Sequence, residues 1–152
     1  MRVLLDTCVL LDIIARRMPF EESIKLLMPH SFGDLELWVS AKSYTDIFYV
    51  MKKREESAEI QRAFRKSYEQ FNICSVDKEA LERAAGLAWP DFEDCLISVC
   101  AEKIGADAII TRDEKGFALS SVGALVGIGG AVFLACESRI AGAVLFSVAL
   151  VG

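Results

Sequence analysis

The chain has little histidine, little proline and no excess of basic side chains: among 152 residues there is one His, His30, there are three Pro, and 17 Lys plus Arg stand against 22 Asp plus Glu. A single histidine excludes any two-histidine metal site and would leave a Ser-His-Asp triad wholly dependent on His30, which lies beside Pro29 and before a glycine-containing turn. The five cysteines (Cys8, Cys74, Cys95, Cys100 and Cys136) are odd in number and lack a C-x-x-C spacing, so neither a disulfide framework nor a zinc knuckle is expected. No secretory apolar region precedes the first acidic residue, because MRVLL runs straight into Asp6, and a reduced, cytoplasmic setting is the expectation. The formal net charge of -5 excludes a basic whole, so a nucleic-acid binder would depend on a local basic patch. Carboxylates are left to carry any chemistry.

What is present is 53% hydrophobic residues, enough for one ordinary domain with a real core. They are unevenly spread. From Ala118 to Cys136 nineteen residues carry no charge, and after Glu137 and Arg139 the chain is uncharged again to Gly152. Residues 1–128 are therefore taken as the folded domain and 129–152 as an atypical apolar tail. The nineteen-residue piece contains Gly123-x-x-x-Gly127 and sits at the lower edge of a membrane span, but six glycines and serines dilute it, and the second uncharged piece has only thirteen residues. A membrane anchor and an unrelated tail are the weaker readings. The preferred one has residues 122–128 supplying a last strand, with the remainder as an apolar helix covering the domain or a second copy.

Val3-Leu4-Leu5 predicts a buried strand ending in the polar tip Asp6-Thr7, and Val9, Leu10, Ile13 and Ile14 follow at helical spacing. Ile24, Leu27 and Met28 repeat that spacing, and Leu35 to Val39 predicts a second strand, after which Ser40 caps a helix to about Lys53. A charged amphipathic helix over 57–71 turns Ile60, Phe64 and Phe71 inward, and 73–76 predicts a third strand. Asp77 caps a helix with Ala80, Leu81, Ala84 and Ala85 on one face before Gly86. Another helix starts near Pro90, with Cys95, Leu96, Val99 and Cys100 as its stripe, and ends at Ile104-Gly105. Ala108 to Thr111 predicts a fourth strand tipped by Arg112-Asp113. Strands alternating with helices argue for an α/β fold, a three-layer αβα sandwich with a mostly parallel sheet.

In such a sheet ligands gather at the carboxyl edge, where Asp6 and Asp113 fall, and the helix-borne Asp46 and Asp94 can join them. Acids converging at one edge repel one another and call for a hard cation, Mg²⁺ or Mn²⁺, which can polarise a phosphodiester and activate water. Singly, each acid is better read as a cap or a surface group, and it is their joint placement in the strand-helix order that favours a site.

Four stretches resemble the PIN domain family: VLLDTCVLLD (3–12), SAKSYTDIFYVMKK (40–53), PDFEDCLISVCAE (90–102) and ADAIITRDEKGF (106–117). The resemblance spans about the first 117 residues in order. It implies a Mg²⁺- or Mn²⁺-dependent endoribonuclease acting on single-stranded RNA, often the toxin of a VapC-like pair, with an antitoxin and a second copy of the chain as candidate partners. Carried over by position, it makes Asp6, Asp94 and Asp113 metal-site acids and places Asp46 where the family often has Glu. Cys8 replaces the usual Asn, removing an amide that could orient Asp6. Asp91, Thr7 and Thr111 are expected auxiliary residues, whereas Glu93 and Asp12 are read as solvent-facing. For RNA, Arg112 beside the crevice and the Lys52, Lys53, Arg54 cluster are candidate phosphate contacts, and Tyr44 or Tyr49 could stack a base. A catalytically silent RNA-binding or protein-interaction module on the same fold is the rival, made plausible by Cys8 and Asp46. A receiver-like phosphoacceptor domain would want an acidic pair after its first strand and a late lysine, which Asp6-Thr7 and Arg112-Asp113 do not supply.

Overall fold

The computed structural model describes residues 1–17, 33 and 35–126. The expected helix around Ile24, Leu27 and Met28 and the apolar tail beyond residue 126 lie outside them. In chain order the described elements are β1 (Arg2–Leu5), α1 (Thr7–Ile14), β2 (Glu36–Ser40), α2 (Ala41–Met51), α3 (Ser57–Ser67), β3 (Asn72–Cys74), α4 (Lys78–Leu87), α5 (Phe92–Lys103), β4 (Ala108–Thr111), a single 3-10 turn (Lys115–Phe117) and β5 (Ala124–Val126).

The strands form one sheet in the order β3-β2-β1-β4-β5, every neighbouring pair parallel. Because strand side chains alternate between faces, β1 divides its residues between two cores. Val3 and Leu5 join Leu37, Val39, Ala108 and Ile110 under α1, α2 and α3, where Val9, Leu10, Ile47, Ile60 and Phe64 complete the packing. Leu4 and Ile109 face the other way, onto Ile97, Cys100 and Ala101 of α5. Helix α5 is buried continuously from Cys95 to Ala101, since α4 covers its outer side through Ala80 and Ala84. These are the three layers expected from the alternation of strands and helices.

The helix boundaries follow from their caps. Ser40 accepts from the Lys42 backbone N–H at 3.3 Å and Asp77 from that of Ala80 at 3.0 Å, each satisfying an otherwise orphaned donor. Helix α5 ends where Gly105 takes a φ of +62°, a left-handed conformation that suits glycine. Two expectations shift. Helix α4 continues through Gly86 to Leu87, stopping at Ala88, and only Ala80 and Ala84 point inward while Leu81 and Ala85 are exposed. Helix α3 stops at Ser67, where the Ser67 hydroxyl bonds the Phe64 carbonyl, although Phe71 is still buried. Strand β5 lies inside the predicted 122–128 and pairs with β4, Ile110 opposite Leu125. Among the described residues no helix is long and apolar enough to cross a membrane.

The order of the strands positions the site. The chain begins at β1, moves outward through β2 and β3, then returns to lay β4 on the opposite side of β1. The carboxyl ends of β1 and β4 therefore flank the point where the direction of winding reverses, the place at which an open parallel sheet leaves a crevice.

Candidate functional site

Asp6 follows β1 at this reversal and is the N-cap of α1, with its backbone N–H bonded to the Ile110 carbonyl of β4 at 2.9 Å. Its side chain is only 7% exposed, and a carboxylate so placed needs donors. Oδ2 receives two, the Thr111 hydroxyl at 2.7 Å and the Cys8 thiol at 2.9 Å. Burial first, then the negative charge of Asp6, pushes the Cys8 thiol up to about 11, so it remains a protonated donor at neutral pH. Cys8 thus holds the Asp6 carboxylate by a hydrogen bond of its own.

Thr111, fully buried at the end of β4, links two acids. Its hydroxyl donates to Asp6 and accepts from the Asp113 backbone N–H at 2.9 Å. Asp113 in turn accepts from the backbone N–H groups of Lys115 and Gly116 through Oδ1, at 3.2 and 3.3 Å. Asp94 arrives from the first turn of α5. It meets the loop at Gly116, where a Cβ would collide with Asp94 Oδ2 and lie 3.1 Å from its Cγ and 3.5 Å from Asp113 Oδ2. A residue with a side chain cannot occupy position 116 while Asp94 keeps this place.

Burial is the first cause that lifts Asp94, to about 6, and the charges of Asp91, Asp6, Asp113 and Glu93 add to it. Asp6, Asp94 and Asp113 therefore share one electrostatic neighbourhood. Among the described residues no three His, Cys, Asp or Glu side chains stand close enough together, as placed, to hold a metal ion. Two of these carboxylates, Asp94 and Asp113, meet over the Gly116 backbone, and Asp6 ends the neighbouring strand; carboxylate oxygens are the donor type that a hard divalent cation takes.

The other expected residues fall as follows. Asp91 is the N-cap of α5, its Oδ1 accepting from the backbone N–H groups of Glu93 and Asp94 at 2.8 and 3.1 Å. Thr7 bonds Ser43 Oγ at 2.8 Å, tying the starts of α1 and α2 together. Asp46 lies on α2 and is salt-bridged to Lys42, which also reaches Glu93 Oε1 at 3.3 Å. Glu93 is thus part of an ion-pair group, against the expectation that it faces solvent freely.

Two corrections concern residues on α1 and α2. Asp12, expected on the surface, is 1% exposed, and its Oδ2 has no hydrogen bond; Arg112 Nε lies 3.3 Å away, and the charge of Arg17 adds to that of Arg112. Arg112 is held between Asp12 and Cys8, with about half its side chain exposed. Tyr44 cannot stack a base: it is buried edge-on against Phe64 and Tyr68, and its hydroxyl pairs with Ser67 at 3.0 Å. Lys52, Lys53 and Arg54 follow the far end of α2, which runs back from the crevice edge for roughly 16 Å at the helical rise per residue. They do not share the crevice with the acids. Gly116 and Lys42 are the functional candidates that sequence reasoning missed; the Asp113-x-x-Gly116 spacing was the available signal for the first, and nothing local distinguished the second.

The described fold has solved relatives. A Rickettsia felis VapBC2 structure, bound to a DNA fragment from its promoter, aligns with a TM-score of 0.64 at 15% identity, over 83% of this chain and 98% of that one. A toxin-antitoxin complex from Klebsiella pneumoniae aligns at 0.60 and 24% identity, over 81% and 95%. Mycobacterium tuberculosis VapC20, a sarcin-ricin loop cleaving toxin, aligns at 0.61 and 13% identity, over 77% and 94%. No curated protein matches the sequence. The PIN domain profile matches residues 2–115, three quarters of the chain and every acid discussed above, and the chain belongs to the PIN domain family.

Proposed function

We propose that the protein is a Mg²⁺- or Mn²⁺-dependent endoribonuclease that cuts single-stranded RNA and serves as the toxin of a toxin-antitoxin pair. The observation that carries this reading is the meeting of Asp94 and Asp113 over Gly116, one strand away from the buried Asp6. Asp6, Asp94 and Asp113 would hold the ion, which when bound supplies Lewis-acid activation of water and neutralises charge on a phosphodiester. The chain's own residues do the positioning. Thr111 and Cys8 fix the Asp6 carboxylate, and the Asp113 loop is pinned by its own backbone donors. Arg112, backed by the buried charge of Asp12, presents a guanidinium at the same edge for a substrate phosphate.

The solved relatives support the toxin role, since one is a toxin-antitoxin complex and another a sarcin-ricin loop cleaving toxin. An antitoxin would be expected to cover the acidic crevice with a basic residue. The test is cleavage of a labelled mixed-sequence single-stranded RNA by purified protein with Mn²⁺, with EDTA, and with Asp94→Asn. Cleavage that requires both the metal and Asp94 is the expected result. No cleavage together with no Mn²⁺ binding by calorimetry would favour a silent RNA-binding or protein-interaction module instead.

A further inference from the structure

Lys42 is a charged residue near the crevice edge that the nuclease reading does not use. It stands in the first turn of α2, beside Ser43, whose hydroxyl bonds Thr7 next to Asp6. Its ammonium is salt-bridged to Asp46 from the same helix and lies 3.3 Å from Glu93 Oε1 on α5, the residue before Asp94. The three side chains are only 26%, 31% and 43% exposed, so the group is partly shielded from water and its charges count for more than a surface pair's. Asp46 and Glu93 come from different layers of the site and would repel each other without a cation between them.

We propose that the Lys42 ammonium fills the cation position between Asp46 and Glu93, so that the protein takes up one divalent ion, at Asp6, Asp94 and Asp113, and Asp46 stays out of its coordination. The inference rests on the metal-binding reading above. A lysine so placed neutralises one of the two carboxylates permanently and repels a second divalent ion from the pair, while leaving the three acids beyond it uncompensated. Asp46 then acts as a positioning residue for Lys42, not as a ligand. The four-residue helical spacing itself brings Asp46 to Lys42.

The experiment is Mn²⁺ titration by calorimetry, with bound Mn²⁺ counted independently by electron paramagnetic resonance, on the full chain and on Lys42→Gln, Lys42→Arg and Asp46→Asn, folding being checked by circular dichroism. One ion is expected on the wild type and on Lys42→Arg, and two on Lys42→Gln. Asp46→Asn should keep the single ion with an affinity within about 3-fold of wild type, where losing a group that orients or ligates the metal costs ~10-fold or more. Two ions on the wild type, one ion on a folded Lys42→Gln, or a loss of ~10-fold or more in Asp46→Asn would each overturn the inference while leaving the metal reading intact. Should Lys42→Gln fail to fold, Asp46→Asn and Lys42→Arg still decide it. Absence of Mn²⁺ binding by the wild type would overturn the metal reading itself, and this inference with it.

Discussion

At the scale of single residues, the site is defined as much by an absent side chain as by the acids. Gly116 has no Cβ, and Asp94 occupies the space one would take. What a methyl group there would displace is the far end of one side chain, so Gly116→Ala should fold with nearly the wild-type melting temperature while the carboxylate is pushed off Asp113. Mn²⁺ affinity is then expected to fall by ~10-fold or more, the scale seen when the groups that orient a ligand are lost; equal affinity in calorimetry would show that Asp94 does not need this position. The same crowding has a pH signature. Asp94 is raised from 3.8 to about 6, by burial first and then by Asp91, Asp6, Asp113 and Glu93. Between those values the folded protein holds a proton that the unfolded chain has released, so stability falls as pH rises through the window. The cost is absent below the unfolded value and complete above the folded one. Metal-free wild type should therefore lose on the order of 1–2 kcal/mol relative to Asp94→Asn between pH 4 and pH 7, after allowance for solvent screening. Urea melts of both proteins in EDTA measure it, and parallel pH profiles would contradict it.

At the scale of elements, α5 is where capping and chemistry share residues. Asp91 caps the helix with two backbone bonds, and one of those donors is the N–H of Asp94 itself. Asp91→Ala is expected to cost about 0.5–2 kcal/mol, and Asp91→Ser to recover most of it because serine caps equally well. If Asp91 serves only as a cap, the serine variant also keeps wild-type Mn²⁺ affinity; a loss of affinity in a stable Asp91→Ser would mark it as a ligand. The elements themselves were legible because their signals are local: Ser40 and Asp77 read as caps and are caps, and the alternation of apolar runs placed β1, β2, β4 and α5 to within a residue or two. The acids at strand ends were legible for the same reason. Asp12 was not, because a charged residue on a short helix looks exposed until β4 delivers Arg112 to it from a hundred residues away. Tyr44 was misread likewise, its burial being decided by α3 packing across α2. Lys42 and Glu93 meet only through the tertiary fold, so no spacing along the chain announced them.

At the scale of the whole molecule, a chain of net charge -5 that binds RNA must do so with few phosphate contacts. The basic cluster Lys52, Lys53 and Arg54 is on the wrong side for that, following the end of α2 opposite to the acids. Lys42 is neutralised by Asp46 and Glu93, and at the crevice this leaves Arg112 and the exposed Lys115 as the charges available to a phosphate among the described residues. Single-stranded nucleic acid releases ~0.7 counterions per phosphate neutralised, so two contacts give a slope of log K against log salt of about -1 to -2. Binding of a labelled single-stranded RNA to the cleavage-deficient Asp94→Asn variant, followed by fluorescence anisotropy across salt concentrations, should give that shallow slope. Replacing Lys52, Lys53 and Arg54 by serine should leave it unchanged, whereas Arg112→Gln should flatten it by about 0.7, the share of one phosphate. A triple variant that instead removes about 2 from the slope would place the RNA along the α2–α3 connection, with the strand then running the length of α2 to reach the acids at its other end.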